Sequence, residues 1–228
     1  MGRIAVSFKA LMVAFAVTFL SWPAMSQTAS EPQTAPVSQT APKLVVLGDS
    51  LSAGYGLPPG ASFPEKLQGA LDAEGVAAQV VGAGVSGDTT TGGLARLDWS
   101  VPDDADAVIV ELGGNDALRG LPPAGTRANL EAIVRRVKEK GAVVLVAGMM
   151  APPNMGADYQ QEFDPIFGEI AKSEGTEFYP FFLDGVAAEP SLNLPDGIHP
   201  NAEGIDVIVR RILPSVKALL AKVPASQG

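Results

Sequence analysis

The chain has 228 residues, 46% hydrophobic and 18% charged, with one histidine, no cysteine and a formal net charge of −9. That length suits one catalytic domain plus extras, and the composition is that of a chain able to bury a core. The acidic balance is a poor electrostatic match for nucleic acid and anionic membrane surfaces. The absence of cysteine excludes disulfides, thiolate metal sites and cysteine catalysis together.

Arg3 and Lys9 precede an uncharged apolar run from Ala10 to Leu20, followed by Ser21-Trp22-Pro23-Ala24-Met25-Ser26. A positive start, an apolar stretch and small residues at a cleavage point read as a secretory signal over 1–26. Ala24 and Ser26 take the −3 and −1 positions. The run is short against the roughly 20 residues that span a bilayer, so the expectation is a periplasmic or secreted protein with no stable membrane insertion. Loss of 1–26 removes two positive charges and no acids, taking −9 to −11. Residues 27–42 are almost pure Pro, Ser, Thr, Gln and Ala. They carry too little apolar surface to offset the entropy of ordering, and read as a flexible linker. The catalytic domain is expected over 43–228.

Within it, short apolar runs alternate with helical patterns. Strands are expected at Leu44–Leu47, Ala78–Val81, Ala107–Leu112, Ala142–Ala147 and Glu177–Tyr179, near-continuous apolar runs of the kind covered on both faces in a parallel sheet. Ser62-Phe63-Pro64-Glu65 is a capping-box pattern with proline in the first turn. Leu130, Ile133, Val134 and Val137 share one helix face, stopped at Gly141. The last helix starts near Asn201, with a kink or restart expected at Pro214. The alternation implies a parallel α/β sandwich that binds ligands at the carboxyl ends of its strands. Gly48-Asp49-Ser50, Ser86-Gly87-Asp88 and Gly113-Gly114-Asn115-Asp116 each follow a strand, so all three should meet at one edge.

A serine nucleophile needs a base within hydrogen-bond reach, and His199 is the only histidine. Asp196, three residues earlier in a glycine-containing turn, can fold back onto the imidazole N–H and hold its tautomer. Ser50 reads either as a turn and helix cap or as a nucleophile presented on a sharp strand-to-helix turn. Gly87 is either a tight turn or a backbone oxyanion donor. Asn115 is either an Asx-type loop residue or a side-chain donor to the same oxyanion, with the Ser50 N–H as a third.

Four ordered blocks carry a family resemblance. They are Val45-Val46-Leu47-Gly48-Asp49-Ser50-Leu51-Ser52-Ala53-Gly54-Tyr55-Gly56, Gly84-Val85-Ser86-Gly87-Asp88-Thr89-Thr90, Val110-Glu111-Leu112-Gly113-Gly114-Asn115-Asp116 and Asp196-Gly197-Ile198-His199-Pro200. The sequence resembles the SGNH-hydrolase (GDSL esterase/lipase) family from about Lys43 to the C-terminal helix. One position departs from the pattern: Gly82, near which relatives carry asparagine. The resemblance implies a three-layer, flavodoxin-like α/β/α sandwich on a five-stranded parallel sheet. It implies Ser50 as nucleophile, His199 as base, Asp196 as its orienter, and Ser50, Gly87 and Asn115 as the oxyanion hole. It also implies acyl esters, lysophospholipids and acyl thioesters as substrates.

Two other readings compete. Gly82-Ala83-Gly84-Val85-Ser86-Gly87 matches a dinucleotide fingerprint, but it follows the second strand, and Gly92-Gly93 are expected to break the helix that would receive a pyrophosphate. Asp49, Asp88, Asp116 and Asp196 suggest a carboxylate metal site. The first three read instead as buried acceptors of backbone N–H groups. No metal, no cofactor and a monomer are expected. Ala151–Phe163, with Pro152, Pro153, Met155, Tyr159 and Phe163, is expected to form a loop over the site, with Phe181, Phe182 and Leu183 nearby, lining an acyl pocket. A carbohydrate acetylesterase and a non-catalytic binding module are the alternatives.

Overall fold

The computed structural model describes residues 1–2 and 41–224. The leader expected at 1–26 and the linker expected at 27–42 therefore lie outside the described residues, apart from Met1, Gly2, Ala41 and Pro42. Five strands, β1 (Lys43–Gly48), β2 (Gln79–Gly84), β3 (Ala107–Glu111), β4 (Val143–Ala147) and β5 (Glu177–Tyr179), form one sheet in the order β2-β1-β3-β4-β5. Every pairing is parallel. This is the doubly wound order, in which the strand sequence reverses direction at β1 and β3 and opens a crevice beyond their carboxyl ends.

The helices are α1 (Ser50–Ala53), α2 (Phe63–Ala73), α3 (Thr90–Ala95), α4 (Leu97–Ser100), α5 (Gly114–Leu118), α6 (Pro123–Glu139), α7 (Ala157–Phe163), α8 (Ile166–Glu174) and α9 (Ala202–Leu220). α2 and α9 pack together in one layer, and α3, α6 and α8 form the other. Covered on both sides, β1 and β3 are apolar and almost wholly buried, as their uninterrupted Val/Ile/Leu runs require. Leu130, Ile133, Val134 and Val137 are the buried stripe of α6. Glu65 accepts from the Ser62 N–H at 3.1 Å and fixes the start of α2.

Three local expectations change. β2 runs on to Gly84 rather than ending at Val81, because β1 pairs with it through Val46↔Gly82, Leu47↔Ala83 and Gly48↔Gly84. The glycine is a packing requirement: a Cβ on Gly84 would stand 2.7 Å from the Ala53 nitrogen and 2.8 Å from the Asp49 oxygen. α3 continues through Gly92-Gly93 instead of breaking. Side chains there would collide with Asp88 and Leu112, so glycine permits the helix to approach. α9 does not restart at Pro214. Its apolar face, from Ile205 to Leu220, stays buried on both sides of the proline, and packing outweighs the one hydrogen bond that Pro214 cannot donate.

Candidate active site

Sheet register builds the site. Gly84, Gly48 and Glu111 lie side by side at the ends of β2, β1 and β3, so the chain that follows each of them reaches the same edge. Ser50 opens α1, capped by Asp49, whose Oδ1 accepts from the Leu51 N–H at 3.0 Å. Asn115 lies in α5, one residue past a turn in which Gly113 takes φ +116°, a conformation costly for other residues. Gly87, at φ +84°, lies in the loop between β2 and α3.

His199 arrives from the far end of the chain, on a segment tied back on itself. The Leu194 N–H donates to the His199 carbonyl at 2.7 Å, and the Asn201 N–H donates to the Leu192 carbonyl at 2.9 Å. The Asn201 side chain then caps α9 through the Gly204 N–H at 2.9 Å. His199 Nδ1 lies 2.7 Å from Asp196 Oδ2, and Nε2 lies 3.0 Å from Ser50 Oγ. A carboxylate only accepts, so the ring proton belongs on Nδ1 and Nε2 is left to accept the Ser50 hydroxyl. Asp196 Oδ1 takes the backbone N–H groups of His199 and Ile198 at 3.0 and 2.9 Å. Those two backbone donors, then the imidazole, pull its carboxyl down to about 2, so it stays charged.

The oxyanion candidates differ in how they are held. Asn115 Nδ2 donates one hydrogen to Asp49 Oδ2 at 2.8 Å, which leaves the other hydrogen of the amide for a ligand. The Gly87 N–H donates to no acceptor among the described residues, while its carbonyl accepts from Arg119 Nη2 at 2.6 Å.

Asp49 is the expected buried acceptor of a backbone N–H, whereas the parts played by Glu111, Tyr55 and Arg96 are not apparent from the motifs. Asp49 is itself buried, and burial raises its carboxyl to about 6. Below it Glu111 is fully buried; its Oε2 accepts from the Asp49 N–H at 3.3 Å, and its Oε1 has no partner among the described residues. Burial first, then the neighbouring Asp49 charge, raise the Glu111 carboxyl well above the usual carboxylate range. Tyr55 lays its ring against the His199 ring with centroids 4.4 Å apart. Asp88 pairs with Arg96 rather than with backbone N–H groups, Nε to Oδ2 at 2.5 Å, which corrects the expected role. Asp116 does serve as a buried acceptor, taking the Thr90 N–H at 2.8 Å. The signal for Arg96 was weak: a lone arginine between two short helices.

A cavity of about 650 Å³ borders Ser50 and His199, with Leu118, Met149, Met150, Pro152, Pro153, Phe181, Leu183 and Ile198 in its walls. Of the expected lining, Phe163 and Phe182 turn into the core instead, against Phe167 and Phe63. Tyr159 donates its hydroxyl to the Leu121 carbonyl at 2.8 Å. Met155 approaches Gly120 and is not part of the wall. The segment that precedes α7 does border the cavity. Gly82 and Gly84 are inside a strand, not at the strand-to-helix turn that a dinucleotide fingerprint needs. Among the described residues no group of three or more His, Cys, Asp or Glu is arranged to hold a metal, and no helix is long and apolar enough to cross a membrane.

The model of the GDSL-like Lipase/Acylhydrolase family matches residues 46–207. Esterase TesA of Pseudomonas aeruginosa is 40% identical over 178 residues, covering 78% of this chain and 89% of that protein. Thioesterase 1/protease 1/lysophospholipase L1 of Escherichia coli is 39% identical over 161 residues, covering 70% and 76%. The crystal structure of AlinE4, an SGNH-hydrolase family esterase, superposes with a TM-score of 0.67 at 45% identity, covering 78% of this chain and 97% of that one.

Proposed function

The chain belongs to the GDSL-like Lipase/Acylhydrolase family, whose members hydrolyse carboxylic esters, and we propose that its reaction runs through an acyl-enzyme on Ser50. The observation that carries this reading is the unbroken relay from Asp196 through His199 to Ser50 beside an apolar-walled cavity.

In the first half-reaction Ser50 Oγ attacks the acyl carbonyl carbon as His199 Nε2 takes its proton. Asp196 stabilises the imidazolium that forms. The oxyanion accepts from the free Asn115 amide hydrogen, the Gly87 N–H and the Ser50 N–H. His199 returns the proton to the leaving alcohol or thiol as the bond to it breaks. Water then repeats the sequence, with His199 taking its proton and handing it to Ser50, and the carboxylic acid leaves.

The names of the relatives and the apolar walls support acyl esters, lysophospholipids and acyl thioesters as substrates, with the acyl chain along Met149, Phe181 and Leu183. Turnover of p-nitrophenyl esters from acetate to palmitate tests this. Activity that climbs beyond acetate supports it, and activity confined to acetate would point to a deacetylase. The same reading includes export, with residues 1–26 removed as a leader. Sequencing the N-terminus of the mature protein tests that, and a retained Met1 would refute it.

A further inference from the structure

Arg96 belongs to neither the relay nor the cavity wall, yet the residue is 5% exposed and its guanidinium has a partner for each nitrogen. Nε donates to Asp88 Oδ2 at 2.5 Å, Nη1 to the Ala83 carbonyl at 2.7 Å and to Ser100 Oγ at 3.0 Å, and Nη2 to the Gly48 carbonyl at 2.8 Å. Gly48 ends β1 two residues before Ser50. Asp88 follows Gly87 directly. One planar cation therefore bridges the strand end that presents the nucleophile and the loop that presents an oxyanion donor.

We infer that Arg96 is a positioning residue for the reaction, fixing the Ser50 turn and the Gly87 loop at one separation; the inference rests on the roles proposed above for those two residues. Only arginine meets the geometry. A lysine ammonium is a point donor on a flexible stem and cannot span Gly48, Ala83 and Asp88 as a rigid fork does. The partners of Arg96 also argue for positioning. Apart from Ser100, they are carbonyls and a carboxylate on the chain ends that carry the site, not groups of the apolar core. The Gly48 carbonyl is the shared point, since it also accepts the Val85 N–H at 3.0 Å, joining the Gly87 loop to β1 a second time. Loss of the cation frees the Asp88 end of that loop and leaves the Val85 N–H and the Arg119 contact to the Gly87 carbonyl to hold it. Reacting groups displaced by about 1 Å lose rate on the order of 10²-fold.

The test compares wild type, R96K and R96M. Active sites are first counted by stoichiometric fluorophosphonate labelling; kcat and KM per active site for p-nitrophenyl butyrate follow, then the Ki of an alkylboronic acid that forms a tetrahedral adduct. R96M should lose kcat on the order of 10²-fold with KM within about twofold. Its boronate affinity should fall in parallel, and R96K should recover part of both. A purely structural role would lower the number of active sites and leave kcat per site unchanged; that result overturns the inference. If R96M does not fold, R96K is read by the same criteria. S50A separates the two ideas. Activity surviving in S50A defeats the acyl-enzyme reading itself, whereas an inactive S50A beside a fully active R96M defeats only the role given to Arg96.

Discussion

Asn115 and Asp49 are joined by a 2.8 Å hydrogen bond from Nδ2 to Oδ2, although 66 positions separate them in the chain. The bond aims the remaining amide hydrogen of Asn115, so under the mechanism proposed above a buried carboxylate sets the direction of an oxyanion donor. N115A should lower kcat on the order of 10²–10³-fold, and D49A less, because a freely turning amide still visits the right direction. The double variant should be no slower than N115A alone, since both remove the same donor. Steady-state kinetics on the four proteins checks this; multiplicative losses would show that Asp49 acts elsewhere.

Both Asp49 oxygens accept hydrogen bonds, Oδ1 from the Leu51 N–H and Oδ2 from Asn115. A proton on either oxygen displaces a donor. Burial raises this carboxyl to about 6, so the proton enters as pH falls through that value. His199 must be neutral for attack in both proteins, and its limb is fitted separately in each because the Asp49 charge acts on it. The ratio of kcat/KM for wild type to that for D49N should therefore fall between pH 8 and pH 5 with a midpoint near pH 6. A ratio flat across that range would contradict the coupling.

Glu111 makes a stability prediction with a definite sign. Its carboxyl is raised in the folded chain, so between its unfolded value of about 4.3 and the higher folded value the native state holds a proton that the unfolded state has lost. Stability contributed by this group is full at low pH and declines as pH rises through that window. E111Q removes the titration and keeps an acceptor for the Asp49 N–H. Denaturant unfolding should show E111Q gaining on wild type from pH 5 to pH 8. E111A orphans that buried N–H and should be about 1–3 kcal/mol less stable than E111Q at every pH.

The cavity wall predicts a length dependence. Each methylene that enters an apolar site contributes about 0.8 kcal/mol, or up to roughly fourfold in kcat/KM, until a volume of about 650 Å³ is filled. F181A removes wall area, and the rise of kcat/KM from acetate to longer p-nitrophenyl esters should become shallower while acetate itself changes little. An unchanged slope would move the acyl chain to a different wall.

Much of the fold and site could be read in the sequence, for local reasons. Each of the first three apolar runs is followed by a glycine-rich cluster, and a parallel sheet with one winding rule brings such clusters to the same edge. Asp196 and His199 are three residues apart, so their contact is nearly fixed by one turn. What could not be read depends on distant partners. Arg96 finds Gly48 across 48 positions, and Glu111 finds Asp49 across 62. Phe163 and Phe182 share their composition with Phe181, and only the packing of neighbouring elements decides which ring enters the core. Gly82 and Gly84 carry the usual turn signal, overridden where β1 offers them a hydrogen-bonded register.

In the proposed reaction Ser50, activated by His199, carries the acyl group. Intact-mass analysis after exposure to a fluorophosphonate tests it most directly. Wild type should gain one phosphonyl group, mapped to Ser50 by peptide sequencing, S50A should gain none, and H199A should label far more slowly. Stoichiometric labelling of S50A, or modification of wild type at any other residue, would rule out Ser50 as the nucleophile.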